Sequence, residues 1–195
     1  DTIPNRTYCN NLKVGGAIFK EEGSIFKYNV KGDVIIVGDR IGDFDIKGNF
    51  NTSFRIKNDT TMTISVDAKV NNQKPTYFLR DYISNHFQWR NSLKSTFKSG
   101  VEGYIRYPNK YADIKLGVNF ENITRYIYFD TNALPKQYDG NIQVLSVNGK
   151  LNFHAWKFHL ENDIAYQLSS NKEVLPLPDV ALFSNFYYID KFFKV

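Results

Sequence analysis

The side chains best suited to chemistry in this sequence are three histidines and one pair of carboxylates. His86, His154 and His159 are the only histidines, and none has a serine or cysteine partner at the spacing of a recognised catalytic motif. Glu161 and Asp163 are two residues apart, as the paired carboxylates of a hydrolase could be. A wall of mixed charge explains the same pair more simply, since basic residues share their parity. We therefore expect no catalytic residues and no enzyme activity.

Cofactor and metal sites are not indicated by the sequence. Cys9 is the only cysteine, so no internal disulfide can form, and no cysteine–histidine cluster has the spacing of zinc ligands. Gly15-Gly16 is not followed by a predicted helix, which a phosphate-binding loop requires. The net charge is +5, but the basic residues are scattered singly among acids, which does not predict a nucleic-acid partner. We expect no cofactor, no metal and no nucleic acid.

The charged residues alternate with apolar residues, which predicts the elements that position them. Between Trp156 and Leu168, polar residues at most odd positions alternate with apolar residues at most even ones. A period of two predicts a strand with one polar and one apolar face. The run exceeds the about 5–6 residues of an ordinary strand and suits the about 9–11 that a tilted strand needs to cross a bilayer.

The same alternation recurs, and it predicts an all-β protein with long strands. Further alternating runs cover residues 44–56, 61–70, 101–107, 111–120 and 145–153. No comparable stretch has apolar residues at helical spacing, and no run of about 18 apolar residues could form a transmembrane helix. The first 43 residues are less regular: strands are predicted at 14–20, 26–30 and 34–37, connections at 21–23 and 31–33, and a turn between Gly38 and Gly42.

The connections between the runs differ in length. Short turns are predicted at 57–60, 107–110 and 154–155, a further connection at 71–75, and long connections at 121–140 and 169–178. In the second half of the chain short and long connections alternate, as they do in outer-membrane barrels. Aromatic residues make up 16% of the chain, and Tyr and Trp favour membrane interfaces.

Alternation alone leaves open which face of the sheet is inside. A soluble ligand-binding barrel of the lipocalin type, or one sheet of a sandwich, would show the same pattern with its apolar face inward. Strand length and the asymmetry of the connections favour a membrane barrel, with its apolar face toward lipid.

Resemblance to a known family decides between these alternatives. The stretches Tyr77–Trp89, Tyr126–Tyr138, Trp156–Leu160 and Gln167–Asp179 resemble the outer-membrane β-barrel porins of Bacteroidetes, and the likeness extends from about Tyr77 to the end. The resemblance implies a transmembrane antiparallel up-and-down β-barrel of the cell outer membrane with a pore. Members of that family are much longer than this chain. We therefore expect residues 1–195 to be part of one barrel domain, with 1–43 as less regular strands or a lead-in, about ten strands in all, and Val195 at a break.

Three sets of site residues follow from this interpretation. The candidates to line the pore are Glu102, Arg106, Asp113, Lys115, Lys157, His159, Glu161 and Asp163. The candidates to face lipid are Ile114, Leu116, Val118, Phe158, Leu160 and Ile164. The candidates for the interfacial aromatic belts are Trp89, Tyr107, Tyr111, Phe153, Trp156 and Tyr166.

The sequence favours a channel for passive diffusion of small solutes, with membrane lipid as its surroundings. The first alternative is a structural barrel within an outer-membrane complex, whose partners would be other outer-membrane proteins. The second alternative is a soluble ligand-binding barrel. Because acids and bases nearly balance along the polar faces, we expect at most a weak preference of the channel for anions.

Overall fold

The alternating runs fold as long strands in the computed structural model, which describes residues 9–22, 26–57 and 60–190. The elements in chain order are β1 Asn11–Lys20, β2 Phe26–Gly38, β3 Phe44–Lys57, β4 Thr60–Gln73, α1 Tyr77–Arg80, β5 Asp81–Ile83, β6 Gln88–Arg90, β7 Thr96–Pro108, β8 Ala112–Thr124, β9 Ile127–Phe129, β10 Pro135–Gln137, β11 Asn141–Ala155, β12 Phe158–Ser169 and β13 Val180–Tyr188.

Nine of these strands form one sheet, in the order β1-β2-β3-β4-β7-β8-β11-β12-β13. Every neighbouring pair is antiparallel, and each strand pairs with the next long strand along the chain. The nine range from 9 residues in β13 to 15 in β11, close to or above the about 9–11 that a bilayer crossing needs. The predicted all-β, up-and-down antiparallel architecture is confirmed.

The two ends of the sheet differ in their connections. At the short-turn end, β7 meets β8 through residues 109–111 and β11 meets β12 through 156–157. At the long-loop end lie the connections 39–43, 74–95, 125–140 and 170–179. From β4 onward short and long connections alternate, as the second half of the sequence predicted, whereas the connections 21–25 and 39–43 are equal in length.

Several predicted boundaries are wrong. The connection predicted at 31–33 lies inside β2, because Lys31 and Asp33 alternate with Gly32 and Val34 and pair in register with β3. The hairpin predicted at His154 and Ala155 turns instead at Trp156 and Lys157, where Trp156 has a φ of 55°.

The bounds predicted for the connection at 71–75 are wrong as well. β4 continues to Gln73, and a long loop follows it that contains α1, β5 and β6. The predicted turn between Gly38 and Gly42 is confirmed, and both glycines have positive φ angles. The predicted break at Val195 and the predicted turn residues Asn58 and Asp59 lie outside the described residues.

Strands β1 and β13 are the edges of the sheet as described. Because adjacent strands alternate in direction and the sheet has nine of them, the two edges run the same way. Direct pairing of β1 with β13 would therefore be parallel, unlike every other pair in the sheet.

The small buried cluster lies at the long-loop end. Ile123 and Val144 are buried beside Ile142, which has no exposed surface. Partly buried residues from the loops 125–140 and 170–179 pack on this cluster. They are Tyr126, Tyr138, Val174, Leu175 and Leu177. These loops therefore fold over one face of the sheet.

Candidate functional site: the charged face of the sheet

The strand register places the charges of the long strands on one face. Residues directly opposite each other in a sheet share a face, and successive residues in a strand alternate between faces. Followed from β1 to β12, the pairings bring together ten basic and eight acidic residues, which we call the charged face: Lys13, Lys27, Lys31, Lys47, Arg55, Lys69, Lys98, Arg106, Lys115, Lys150, Asp33, Asp45, Asp67, Glu102, Asp113, Glu121, Glu161 and Asp163.

We call the other face the apolar face. From Phe26 to Tyr188 it carries no charged residue at the described paired positions, and the side chain of Lys57 lies outside the described residues. In β1, Lys20 lies on this face, opposite Tyr28 at the end of the strand. Asn162 and Ser184 are polar residues within the apolar face, and they satisfy each other: the Ser184 hydroxyl donates to Asn162 Oδ1 at 2.7 Å. The Asn162 amide donates in turn to the carbonyl of Leu151. Such pairing is what a polar group needs where water is scarce.

The charged face is the shielded, concave side. Ser65 on this face has no exposed surface and Ser146 has 8%, whereas Leu116 on the apolar face is 55% exposed. Four hollows of about 210 to 430 Å³ are lined mainly by residues of the charged face. The arrangement is the reverse of a soluble β-domain, in which apolar side chains fill the interior.

Aromatic residues mark two levels on the apolar face. Phe44 and Phe97 lie near the long-loop end, and Phe54 and Tyr107 lie ten residues further along the same strands. At about 3.4 Å per residue and a strand tilt of about 35–45°, the two levels are about 24–28 Å apart. This separation matches the apolar band of about 25 Å in outer-membrane barrels.

Seven of the eight predicted pore-lining residues lie on the charged face. They are Glu102, Arg106, Asp113, Lys115, His159, Glu161 and Asp163. Lys157 lies in the β11–β12 turn, where its ammonium pairs with Asp190 at 2.5 Å and lies 5.1 Å from the Trp156 ring. It is therefore at the rim of the sheet.

The six predicted lipid-facing residues all lie on the apolar face. Ile114, Leu116 and Val118 alternate along β8, and Phe158, Leu160 and Ile164 do so along β12. The residues Val118, Phe158 and Ile164 are 51%, 43% and 40% exposed, which leaves a broad apolar surface without a partner in the chain as described.

The predicted belt aromatics fall in three places. Tyr107, Phe153 and Tyr166 lie on the apolar face, and Tyr111 and Trp156 lie in turns at the short-turn end. Trp89 belongs to β6 in the loop 74–95. Its ring stacks on Tyr82 with centroids 4.7 Å apart, and its Nε1 donates to the carbonyl of Phe78 at 2.9 Å.

Ion pairs connect neighbouring strands across the charged face. Arg106 donates to Asp113 through Nε at 2.9 Å and through Nη2 at 2.6 Å. Lys69 Nζ is 3.2 Å from Glu121 Oε1, with Gly100 between them in the pairing of β4, β7 and β8. A Cβ at Gly100 would lie 3.1 Å from Lys69 Cε, so the glycine leaves room for the lysine to reach across.

Sequence reasoning missed two rows of cations on this face. Lys31, Lys47 and Lys69 lie directly opposite one another in β2, β3 and β4. Arg106, Lys115 and Lys150 do the same in β7, β8 and β11. The members of each row are far apart in the chain, so the register that brings them together has no local sequence signal.

Two of the three histidines, His154 and His159, belong to a row of stacked rings on the charged face. His154 and His159 stack with centroids 6.1 Å apart, and His159 stacks on Tyr187 at 5.0 Å. The Tyr187 hydroxyl donates to Glu161 Oε1 at 2.6 Å. Asp163 accepts from Lys150 at 3.1 Å, so the two carboxylates have separate partners.

The loops at the long-loop end are joined to one another by polar contacts. Arg80 donates to both carboxylate oxygens of Asp39, at 3.2 and 2.7 Å, and this contact raises the pKa of its guanidinium. The Gln137 side chain bonds both backbone groups of Lys94. The loops 39–43, 74–95 and 125–140 therefore form one connected layer.

Other kinds of site find little support in the part of the chain that the structure describes. No group of three or more His, Cys, Asp or Glu side chains in it could hold a metal ion. None of its helices is both long enough and apolar enough to cross a membrane. Cys9 is exposed and free.

Comparisons with known proteins give one match. A family model described as "putative porin" matches residues 1–195, which is the whole chain. No curated protein and no solved structure matches the chain significantly.

Proposed function

Since this chain belongs to the putative porin family, we propose that it forms part of the wall of an outer-membrane channel for the passive diffusion of small solutes. The family assignment supports a porin-like outer-membrane protein. The channel activity, its solutes and its lipid surroundings are the proposal.

The distribution of charge over the two faces is the observation that carries this proposal. From Phe26 to Tyr188 the apolar face carries no described charge at its paired positions, while the concave face carries the ion pairs and the hollows. A barrel wall with water inside and lipid outside needs this polarity. A soluble barrel of the lipocalin type would place Leu116 and Val118 on the concave side, and both lie on the other face and are more than half exposed.

The proposed chemistry is selection without reaction. Solutes would pass along the charged face, where side chains of both signs offer hydrogen bonds and local fields. The function needs no catalytic residue and no cofactor. The surroundings of the apolar face would be lipid, with the aromatic levels at the two interfaces.

Conductance in planar bilayers tests the proposal directly. The purified protein in detergent should insert and give stepwise current increases in KCl. A charge-reversing variant on the charged face, Glu102→Lys, should shift the ion preference of the pore toward anions. Glu102→Asp keeps the charge at the same position, so it is the matched control and should leave the preference unaltered. Insertion without any current would contradict the channel proposal.

One observation favours the scaffold alternative. At the long-loop end, Val174 and Leu175 from one loop and Tyr126 from another pack on the buried residues Ile142 and Ile123, which lie on the charged side of the sheet. These loops occupy space that a channel would need. In a structural barrel they would close the lumen, and a stable, inserted but non-conducting protein is the result expected for that function.

A further inference from the structure

The cation row Arg106, Lys115 and Lys150 has a property that a general channel function does not require. The three side chains occupy directly opposite positions in β7, β8 and β11. Like charges in such positions destabilise an antiparallel pair. Three cations in a row break this pairing rule, and such exceptions are expected at positions that serve a function.

The acids around the row compensate its two ends. Arg106 is held by Asp113 at 2.6 Å and Lys150 by Asp163 at 3.1 Å. Lys115, in the middle, has no ion pair with any described residue. Its ammonium instead lies 3.6 Å from the centre of the Tyr104 ring, a cation–π contact that leaves the positive charge in place.

The row borders a hollow of about 210 Å³ on the charged face. Its lining residues are Tyr104, Arg106, Asp113, Lys115, Lys150 and Asn152. The volume is far above the about 10–15 Å³ that one water requires. Hydrogen-bond donors dominate the lining: an ammonium carries three donors, a guanidinium five and an amide two. The bonds to Asp113 use only Nε and Nη2 of Arg106, so its Nη1 group is available.

We infer that this hollow binds the oxyanion group of a passing solute, a phosphate or a carboxylate, with Lys115 as the main contact. An anion beside Lys115 cancels the repulsion between this ammonium and its two cationic neighbours, and charge-assisted hydrogen bonds hold it. The inference rests on the proposed channel, because the solute must reach the charged face. It adds to that proposal a defined binding site and a class of solute.

Phosphorus NMR of the complete protein in detergent tests the site without requiring conduction. Inorganic phosphate at low ionic strength should show line broadening that saturates with concentration. Lys115→Gln should weaken the apparent affinity at least fivefold, and Lys115→Arg should restore most of it. Lys27→Gln is the matched control, because Lys27 lies on the same face outside the row and its loss changes the net charge equally. Its effect should be less than twofold.

Equal losses in the Lys115→Gln and Lys27→Gln variants would overturn the inference, since the effect would then follow net charge alone. An absence of broadening in the wild-type protein would overturn it as well. Far-UV circular dichroism of each variant shows whether the sheet has formed, and Lys115→Arg keeps the test valid should Lys115→Gln fail to fold.

Bilayer recordings separate the inference from the channel proposal. Inorganic phosphate added to KCl should reduce the chloride current of the wild type in a saturating manner, and it should do so much less for Lys115→Gln. If the protein conducts but phosphate changes neither its current nor the NMR signal, the anion site is overturned and the channel proposal stands. A protein that never conducts but broadens the phosphate line through Lys115 overturns the channel and supports the site.

Discussion

At the scale of single residues, the face on which a side chain lies decides which substitutions the sheet tolerates. Leu160 and His159 are neighbours in β12, yet Leu160 is paired with Phe153 and Phe186 on the apolar face. His159 stacks between His154 and Tyr187 on the charged face. The same new charge at these two positions should therefore have very different consequences.

Leu160→Arg should impair assembly more than His159→Arg does. A lipid-facing arginine costs about 2–4 kcal/mol at the bilayer midplane and less toward the interfaces, and Leu160 lies two residues from the start of β12. An arginine at position 159 would lie among the polar side chains of the charged face. Refolding yield into lipid vesicles, followed by the heat-dependent mobility of the folded form in gel electrophoresis, measures the difference. Equal yields for the two variants would contradict the assignment of the apolar face to lipid.

Asp130 is a second residue whose contacts lead to a prediction. Its carboxylate accepts the backbone N–H of Leu134 at 3.0 Å, pairs with Lys136 and accepts the N–H of Asn132. These contacts lower its pKa below the ordinary value of 3.8. Because the pKa of Asp130 is lower in the folded state, its ionised carboxylate stabilises the loop fully at pH values above the ordinary pKa of 3.8. This stabilisation is lost as the pH falls through the folded-state pKa.

The hairpin of β9 and β10 should consequently loosen below about pH 3.8. Protection factors of the backbone amides of Leu134 and Asn132, measured by hydrogen exchange, should fall between pH 6 and pH 3 in the wild type. Asp130→Asn should have low protection at both pH values. Asp139→Asn, in the same loop, is the control and should preserve the wild-type behaviour; protection that stays constant with pH in the wild type would refute the role of Asp130.

At the scale of elements, the loops of the long-loop end are held by a few polar contacts rather than by a large core. Asp43 is buried, accepts from Arg40 Nε at 2.7 Å and accepts the backbone N–H of Lys74 at 2.7 Å. Together with the Asp39–Arg80 pair, it fixes the beginning of the loop 74–95 to the β2–β3 turn. The aromatic residues of that loop, such as Trp89, are then stacked in place.

Arg80→Ala should release the loop 74–95 without unfolding the sheet. The substitution removes both hydrogen bonds to Asp39, while strand pairing is unaffected. We expect faster limited proteolysis within this loop and an unchanged far-UV spectrum. Arg90→Ala removes the more exposed pair with Asp81 and should have a smaller effect; the opposite order would show that the Asp39 contact does not hold the loop.

At the scale of the whole molecule, the mixture of charges on the charged face would limit the ion selectivity of the proposed channel. The charged face has ten basic and eight acidic residues among those described, and several of them form ion pairs. Rings of one sign produce strong selectivity, but alternating signs partly cancel. The cation rows add local positive regions whose fields are screened within about 10 Å at 0.1 M salt and about 3 Å at 1 M.

We therefore predict a weak preference for anions that fades as the salt concentration rises. Reversal potentials across a planar bilayer under a KCl gradient, measured around 0.1 M and again around 1 M, provide the test. Strong selectivity that persists at the higher salt would show that the lumen is lined differently. A preference for cations at low salt would also contradict this assignment, because the charged face has more basic than acidic residues.

The parallel orientation of the two edge strands gives a prediction about the complete assembly. A closed barrel with antiparallel pairing throughout needs an even number of strands. A barrel that contains these nine strands must therefore include an odd number of further strands between β13 and β1. A structure of the complete protein in lipid, with strands counted, tests this; a β1–β13 parallel ladder would refute it.

The sequence by itself determined the strand class, the face of most charged residues and the alternation of short and long connections. These properties depend on a period of two and on turn residues, and both are local features of the sequence. Alternation with the adjacent residues is enough to assign Lys115 to one face and Leu116 and Val118 to the other. Resemblance to a family added the outer-membrane interpretation, which the family match supports.

Only the tertiary structure decided which charges meet and where the chain turns. Arg106, Lys115 and Lys150 became one row through the registers of β7, β8 and β11, and a shift of one residue in either pairing would have separated them. Trp156 entered a turn, and Lys31 stayed in a strand, because cross-strand hydrogen bonds outweigh local preference. Register is a property of paired strands, so no single stretch of sequence encodes it.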